Sequence, residues 1–241
     1  MYLPTIQGII DRRILINYRV APALLEGILP GPFRPKLVHG MAIAGICLIR
    51  LKSLRPSALP ASLGLSSENA AHRVAVEWEE NGQHREGVYI PMRHTSSHFN
   101  TLAGGKLFPG LHRHAAFEVI ESDEMFRISV KSDDHQTRLT VEAQVASSLP
   151  QTSLFESLQE ASAFFEQGSV GYPATSRPDI FDGLELRSRN WKVEPLQVAR
   201  VESRFFDDHQ RFPRGSAELD CALLMRHIDH KWYVQPPLHS C

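Results

Sequence analysis

The sequence is poor in cysteine. Its three, Cys47, Cys221 and Cys241, are odd in number and far apart. No Cys-x-x-Cys spacing occurs, so neither a disulfide framework nor a zinc ribbon is implied, and a reducing, cytoplasmic setting is expected. Long apolar runs are missing as well. The longest, Met41 to Ile49, spans nine residues and stops at Arg50, less than half of the roughly 20 that a spanning helix needs. The N-terminal segment shows no basic start ahead of an apolar stretch, so a secretory signal is not expected. Nor is there a surplus of either charge. Lys plus Arg number 26 against 27 Asp plus Glu, a net charge of -1. No global field draws such a chain to nucleic acid or to anionic lipid, and neither partner is expected. The pair Arg12-Arg13 has acids close by and reads as mixed surface. No βαβ rhythm appears, and no G-x-G-x-x-G or Walker lysine follows a strand, which excludes a nucleotide fold. No solenoid repeat, no Gly-x-Ser-x-Gly elbow and no His-Glu-x-x-His motif occurs.

What is present is mostly strand. Ile14 to Val20, Met41 to Leu51, Met125 to Lys131, Arg138 to Ala146, Gln197 to Phe206 and Glu218 to His230 alternate or run apolar and β-branched. His72 to Trp78 and Gly87 to Pro91 flank Asn81-Gly82, a hairpin turn signal. Helical spacing is confined to Pro22 to Leu29, Ser96 to Leu102 and Ser153 to Gln167. The last places Leu154, Phe155, Leu158, Ala161, Phe164 and Phe165 at helical spacing, with Ser153 as cap and Gly168 as stop. Many strands with two or three short helices predict a mainly β (α+β) chain, an antiparallel or mixed sheet curled into a barrel or cone. The proline-, glycine- and serine-rich stretches are too short for linkers, so residues 1–241 are expected to form one domain.

Twelve histidines raise the question of a metal. His94 and His98 are four apart, and His112 and His114 two apart. A zinc site needs three or four ligands converging at about 2.0–2.3 Å, which spacing alone does not supply. No metal and no cofactor is expected, and a histidine-ligated metal hydrolase is kept only as the weakest alternative.

Several short segments resemble a known group. Asn17-Tyr18-Arg19-Val20 precedes the helix and prolines of 22–30. Then come Ser66 to Val74, Gly87-Val88-Tyr89-Ile90-Pro91, and the loop Gly104 to His114. In order and spacing the chain resembles the acetoacetate decarboxylase-like superfamily, in its branch of uncharacterised bacterial proteins. The resemblance implies a pocket walled by the 104–114 loop, where the decarboxylase carries a Schiff-base lysine beside a second lysine that lowers its pKa. Aligned without gaps, those two positions fall on His112 and Arg113. Histidine cannot form the Schiff base, and arginine is a poor amine nucleophile. Lys106 lies six residues upstream. The family's pocket glutamate falls on Glu68, and its pocket arginine falls on Arg12 or Arg13.

The residues themselves leave two readings open. In one, an arginine fork from Arg12, Arg13 or Arg113, helped by Lys106 and His94, binds a small organic acid, with His112 and Glu68 as acid and base. In the other, Glu68 and an arginine form a structural ion pair and His112 and Arg113 are exposed. The expected partner is a small-molecule ligand. Whether it is bound or turned over is left open, as is the oligomeric state.

Overall fold

A computed structural model describes residues 5–103, 110–177 and 179–240. Thirteen strands run in chain order: β1 (Ile6–Val20), β2 (Arg34–Pro35), β3 (Leu37–Val38), β4 (Met41–Pro56), β5 (Leu65–Glu80), β6 (Gln83–Thr95), β7 (Arg113–Glu121), β8 (Met125–Ser132), β9 (Arg138–Val145), β10 (Val170–Pro173), β11 (Ile180–Ser188), β12 (Glu194–Ser203) and β13 (Ala217–His239). Three helices join them: α1 (Pro22–Glu26), α2 (His98–Ala103) and α3 (Leu158–Gln167). The mainly β expectation holds, and the sheet is mixed: β6 pairs in parallel with β7 and β10, the other pairs antiparallel.

The sheet rings round without being a regular barrel. Its pairings trace two closed circuits. One runs β6, β7, β8, β9, β12, β13, β1, β4, β5 and back to β6. The other leaves β6 through β10 and β11 to β13, then returns through β1, β4 and β5. The long strands β13, β1, β4, β5 and β6 therefore belong to both, and both their faces are covered. Strands buried on two sides read as continuous apolar runs, which is what Met41 to Ile49 is.

Each face packs its own core. Ile14, Ile16, Ile46, Leu48, Val74 and Val76 face one, with Ile128, Leu139 and Val141 opposite. Leu15, Cys47, Ala75, Leu223 and Met225 face the other, with Phe155, Ala161 and Phe165 from α3 and its approach. Alternation alone does not carry a residue from one face to the other; bulges do. In β1 the register slips between Ile10 and Arg12. Ile6 and Ile10 are even-numbered members of the second core, but beyond the slip the odd-numbered Leu15 takes over. On β13, His227 has φ 51°, and Ser53 on β4 has φ 53°. There the same core passes from Met225 to Ile228, and from Leu51 to Leu54.

Local signals account for the connections. Asn81 (φ 53°) and Gly82 (φ 74°) form the hairpin turn between β5 and β6, a conformation that favours these two residue types. The helix expected from Ser153 begins later, at Leu158. The Ser153 hydroxyl and the Leu154 N–H both donate to the Asp220 carboxylate at 2.9 and 2.7 Å, which holds this stretch extended. Ser157 caps instead, accepting from the Glu160 N–H at 3.1 Å. Likewise α1 is shorter than the expected 22–29, and α2 starts at His98, with the Ser97 hydroxyl accepting from the Asn100 N–H.

Candidate functional site

The two consecutive arginines of β1 face opposite sides of the sheet. Arg12 is buried. Its guanidinium donates to Glu68 at 2.6 Å and also to Glu121 at the end of β7. Arg50 on β4 donates to the other oxygen of both carboxylates. The positions of Arg12, Arg50 and Glu68 are register partners across β1, β4 and β5, so adjacent strands deliver them side by side. Burial alone would raise the Glu121 carboxyl, but hydrogen bonds and charge from Arg12 and Arg50 outweigh it and hold the group below its ordinary range. Two cations meet two carboxylates, and the charges are matched.

Arg13 points into a cavity of about 160 Å³ on the other face. Around it stand Arg73 of β5, Arg93 of β6, and His112 just ahead of β7. The walls are apolar: Ile49, Leu51, Leu54 and Ile90, with Leu184 and Leu186 from β11, Phe165 from α3, and Trp191 and Trp232. Asn69, Asn100, Ser169 and Cys47 also line it, and no aspartate, glutamate or lysine occurs in the described lining. We call this cavity the chamber.

Each arginine is held in place. Arg13 lies over the Trp191 ring at 5.9 Å, and its Nε and Nη1 have no hydrogen-bond partner. Arg73 lies over the Phe165 ring at 4.8 Å, donates to the Asn17 side-chain oxygen, and leaves Nε without a partner. Arg93 Nη1 stands 3.3 Å from His112 Nε2. Burial pushes Arg73 and Arg93 down to about 10, so both remain cationic at neutral pH. Burial, with the Arg93 charge beside it, pushes His112 down to about 3 against a smaller opposing pull from the Gly110 backbone. The ring is therefore neutral, and the chamber's positive charge belongs to the arginines.

The structure thus brings together His112 and Arg13 of the residues singled out in the sequence, and adds Arg73 and Arg93. It does not bring Glu68 to His112. Glu68 is absent from the chamber lining, and its carboxylate is engaged by Arg12 and Arg50. Arg12 sits with it. Arg113 is exposed and pairs with Asp134 at 3.2 Å. His94 is wholly buried, outside the lining, and pushed down to about 4 chiefly by that burial. Lys106 lies outside the described residues. The histidine pairs separate: His98 stacks on His114 at 3.9 Å, and His114 faces Asp133 at 2.8 Å. Among the described residues no group of three or more potential ligands is placed to hold a metal ion. No helix there is long and apolar enough to cross a membrane.

Arg73 and Arg93 were not singled out from the sequence. The one signal they offer is a charge inside a strand whose neighbours are apolar. On strands buried on both faces, alternation does not say which face holds a cavity.

A family model described as "Uncharacterized conserved protein (COG2071)", DUF2071, matches residues 10–216. No curated protein matches the chain. Three solved structures share its fold at low identity. An acetoacetate decarboxylase from Legionella pneumophila aligns over 96% of this chain and 87% of its own, at 12% identity and TM-score 0.61. The enduracididine biosynthesis enzyme MppR, complexed with pyruvate, aligns over 100% and 92%, at 10% identity and TM-score 0.61. An acetoacetate decarboxylase-like enzyme from Sphingomonas wittichii RW1 aligns over 99% and 94%, at 11% identity and TM-score 0.59. The fold is acetoacetate decarboxylase-like, as the sequence segments implied.

Proposed function

The chain belongs to the DUF2071 (COG2071) family of uncharacterised conserved proteins, and we propose that its chamber binds a small organic acid with an apolar body. One observation carries this reading: Arg13, Arg73 and Arg93 line a single apolar cavity whose described lining holds no carboxylate. A buried cation with no carboxylate in the cavity around it, as Arg73 is, is costly, by several kcal/mol. A bound carboxylate offsets that cost, and a guanidinium fork matches its two oxygens. The aliphatic and tryptophan walls suit the rest of the molecule. MppR, of the same fold, is described with pyruvate bound, which agrees with an acid ligand.

We further propose that the protein lacks Schiff-base chemistry. The two lysine positions implied by the superfamily loop carry His112 and Arg113, and the described chamber lining has no lysine. A thermal-shift series tests the binding claim. Phenylacetate and 3-methylbutanoate should raise the unfolding midpoint, and their amides should not. Equal shifts for acid and amide would refute it. Borohydride with acetoacetate should leave the chain's mass unchanged, and a trapped adduct would restore a lysine mechanism through Lys106.

Turnover is a second reading, favoured by the neutral His112 ring within 3.3 Å of Arg93 in the chamber. A neutral imidazole here can hydrogen-bond a bound acid, and as a base it could act only on a proton elsewhere in the ligand than the ionised carboxylate. In this reading His112 acts without Glu68.

A further inference from the structure

The three guanidiniums of the chamber do not form one cluster. Asn17, Gly45 and Arg73 are register partners across β1, β4 and β5. Gly45 puts no side chain between the other two, and Arg73 donates across it to the Asn17 side-chain oxygen. That bond draws the Arg73 guanidinium back toward β1, the strand that carries Arg13. Burial is the main force pushing Arg73 down, and the Arg13 charge adds to it. Both arginines also line a narrow gap beside α3, together with Phe164, Phe165 and Gly168. Arg13 and Arg73 thus mark one end of the chamber. Arg73 is 4% exposed, and its Nε, like the Nε and Nη1 of Arg13, is buried without a hydrogen-bond partner.

Arg93 marks the other end. It springs from β6, and β4 and β5 lie between that strand and β1. Paired strands are spaced about 4.8 Å apart, so three steps set the two backbones about 14 Å apart along the sheet. Leu15, Cys47, Ala71 and Arg93 are the register partners that span this width. Arg93 is absent from the described lining of the gap beside α3, and its Nη1 stands beside the His112 ring instead. Cys47 and Ala71 lie between the two ends and line the chamber with small side chains, which leaves the floor there clear. No aspartate or glutamate occurs in the described lining, and the residues outside the described ones include neither.

We propose that the chamber takes a dicarboxylic acid, with one carboxylate on Arg13 and Arg73, the other on Arg93, and the aliphatic midsection over Cys47 and Ala71. The proposal rests on the organic-acid reading above and narrows it. A carboxylate is compact and planar, and a guanidinium fork engages its two oxygens at close range. One such group placed at either end leaves the far arginine without it. A second carboxylate on the same chain meets that arginine, and it offsets burial cost that a monoacid leaves standing. Once the first end is bound, the second binds within one molecule, at a high effective concentration if the chain length fits the span.

The test is isothermal calorimetry on the full chain. Each straight-chain diacid from succinate to pimelate is compared with its own monomethyl ester, which keeps the backbone and loses one charge. At one preferred length the diacid should bind at least about tenfold more tightly than its ester, the least that a charged hydrogen bond contributes. In Arg93→Met that ratio should fall toward one. The wild-type comparison stands whether or not this variant folds. Three results would overturn the proposal: no diacid outbinding its ester, an advantage equal at every length, or a ratio unchanged in a folded Arg93→Met. If the esters still bind, the organic-acid reading survives that failure. If neither diacids nor esters bind, both readings fall together.

Discussion

Arg12 and Arg13 are neighbours in the chain and opposites in the structure. Arg12 is buried against Glu68 and Glu121, and Arg50 shares both carboxylates. Arg13 faces a chamber with two further arginines and no acid in its described lining. The first arrangement has its charges matched within the chain and reads as structure. The second has no carboxylate in its described lining and reads as a place for one. Chemistry at a single residue does not separate the two; the surroundings do.

Acid gives the largest effect, because the two kinds of group fail at different pH. Burial pushes His72 down to about 3 and His94 and His230 to about 4. Unfolded, each titrates near 6.5, so below that pH the unfolded chain takes up protons that the folded one refuses. Stability is therefore complete above about pH 6.5 and falls as pH drops, by up to about 1.4 kcal/mol per pH unit for each ring. Glu121 and Asp11, both held below the ordinary carboxylate range, give way later, as pH falls through their folded values. Urea midpoints measured at intervals from pH 8 to 4 check this. A flat profile between pH 7 and 5 would contradict it.

Next comes the matched side. Arg12→Leu strands Glu68 and Glu121 with Arg50 as their remaining arginine. It should cost about 3 kcal/mol of folding stability while leaving any chamber ligand affinity within about twofold. Urea unfolding and a carboxylate titration together read this out. The unmatched side should behave in the reverse way. Arg13→Met should leave stability unchanged or raised, and should weaken carboxylate binding by about 10- to 100-fold, the worth of a charged hydrogen bond. If Arg12→Leu instead abolished binding and Arg13→Met unfolded the protein, the contrast between the two arginines would be reversed. The smallest effect concerns the helix that closes the chamber. Ser157→Ala removes the α3 cap and should cost about 1 kcal/mol, visible as a lowered thermal midpoint.

The fold was largely legible. Asn81-Gly82 names its turn type without help from the rest of the chain, and the 153–167 pattern fixes the end of α3 at Gln167 while placing its start five residues early. What the sequence left open is instructive at Arg12 and Arg13. Alternation assigns faces only until the register slips, and the slip beside Asp11 is against β4, which the pattern of β1 alone does not show. Glu68 matched a family position, yet its partners are Arg50, met through strand pairing, and Glu121's neighbour Arg12. Arg73 and Arg93 are brought close by the pairing of β5 with β6, whose register shifts between His72 and Val74. Each of these placements depends on contacts between residues far apart in the chain, which a reading of local pattern does not contain.

Five long strands serve both circuits of the sheet, and β13 alone runs the length of 23 residues across them. Peeling β13 away from β12 also removes the partner of β11 and β1. Neither circuit therefore has a private edge at which to open. The molecule should melt as one cooperative unit, with slowest amide exchange along β13, β1 and β4, and the chamber should be among the last parts to lose its shape.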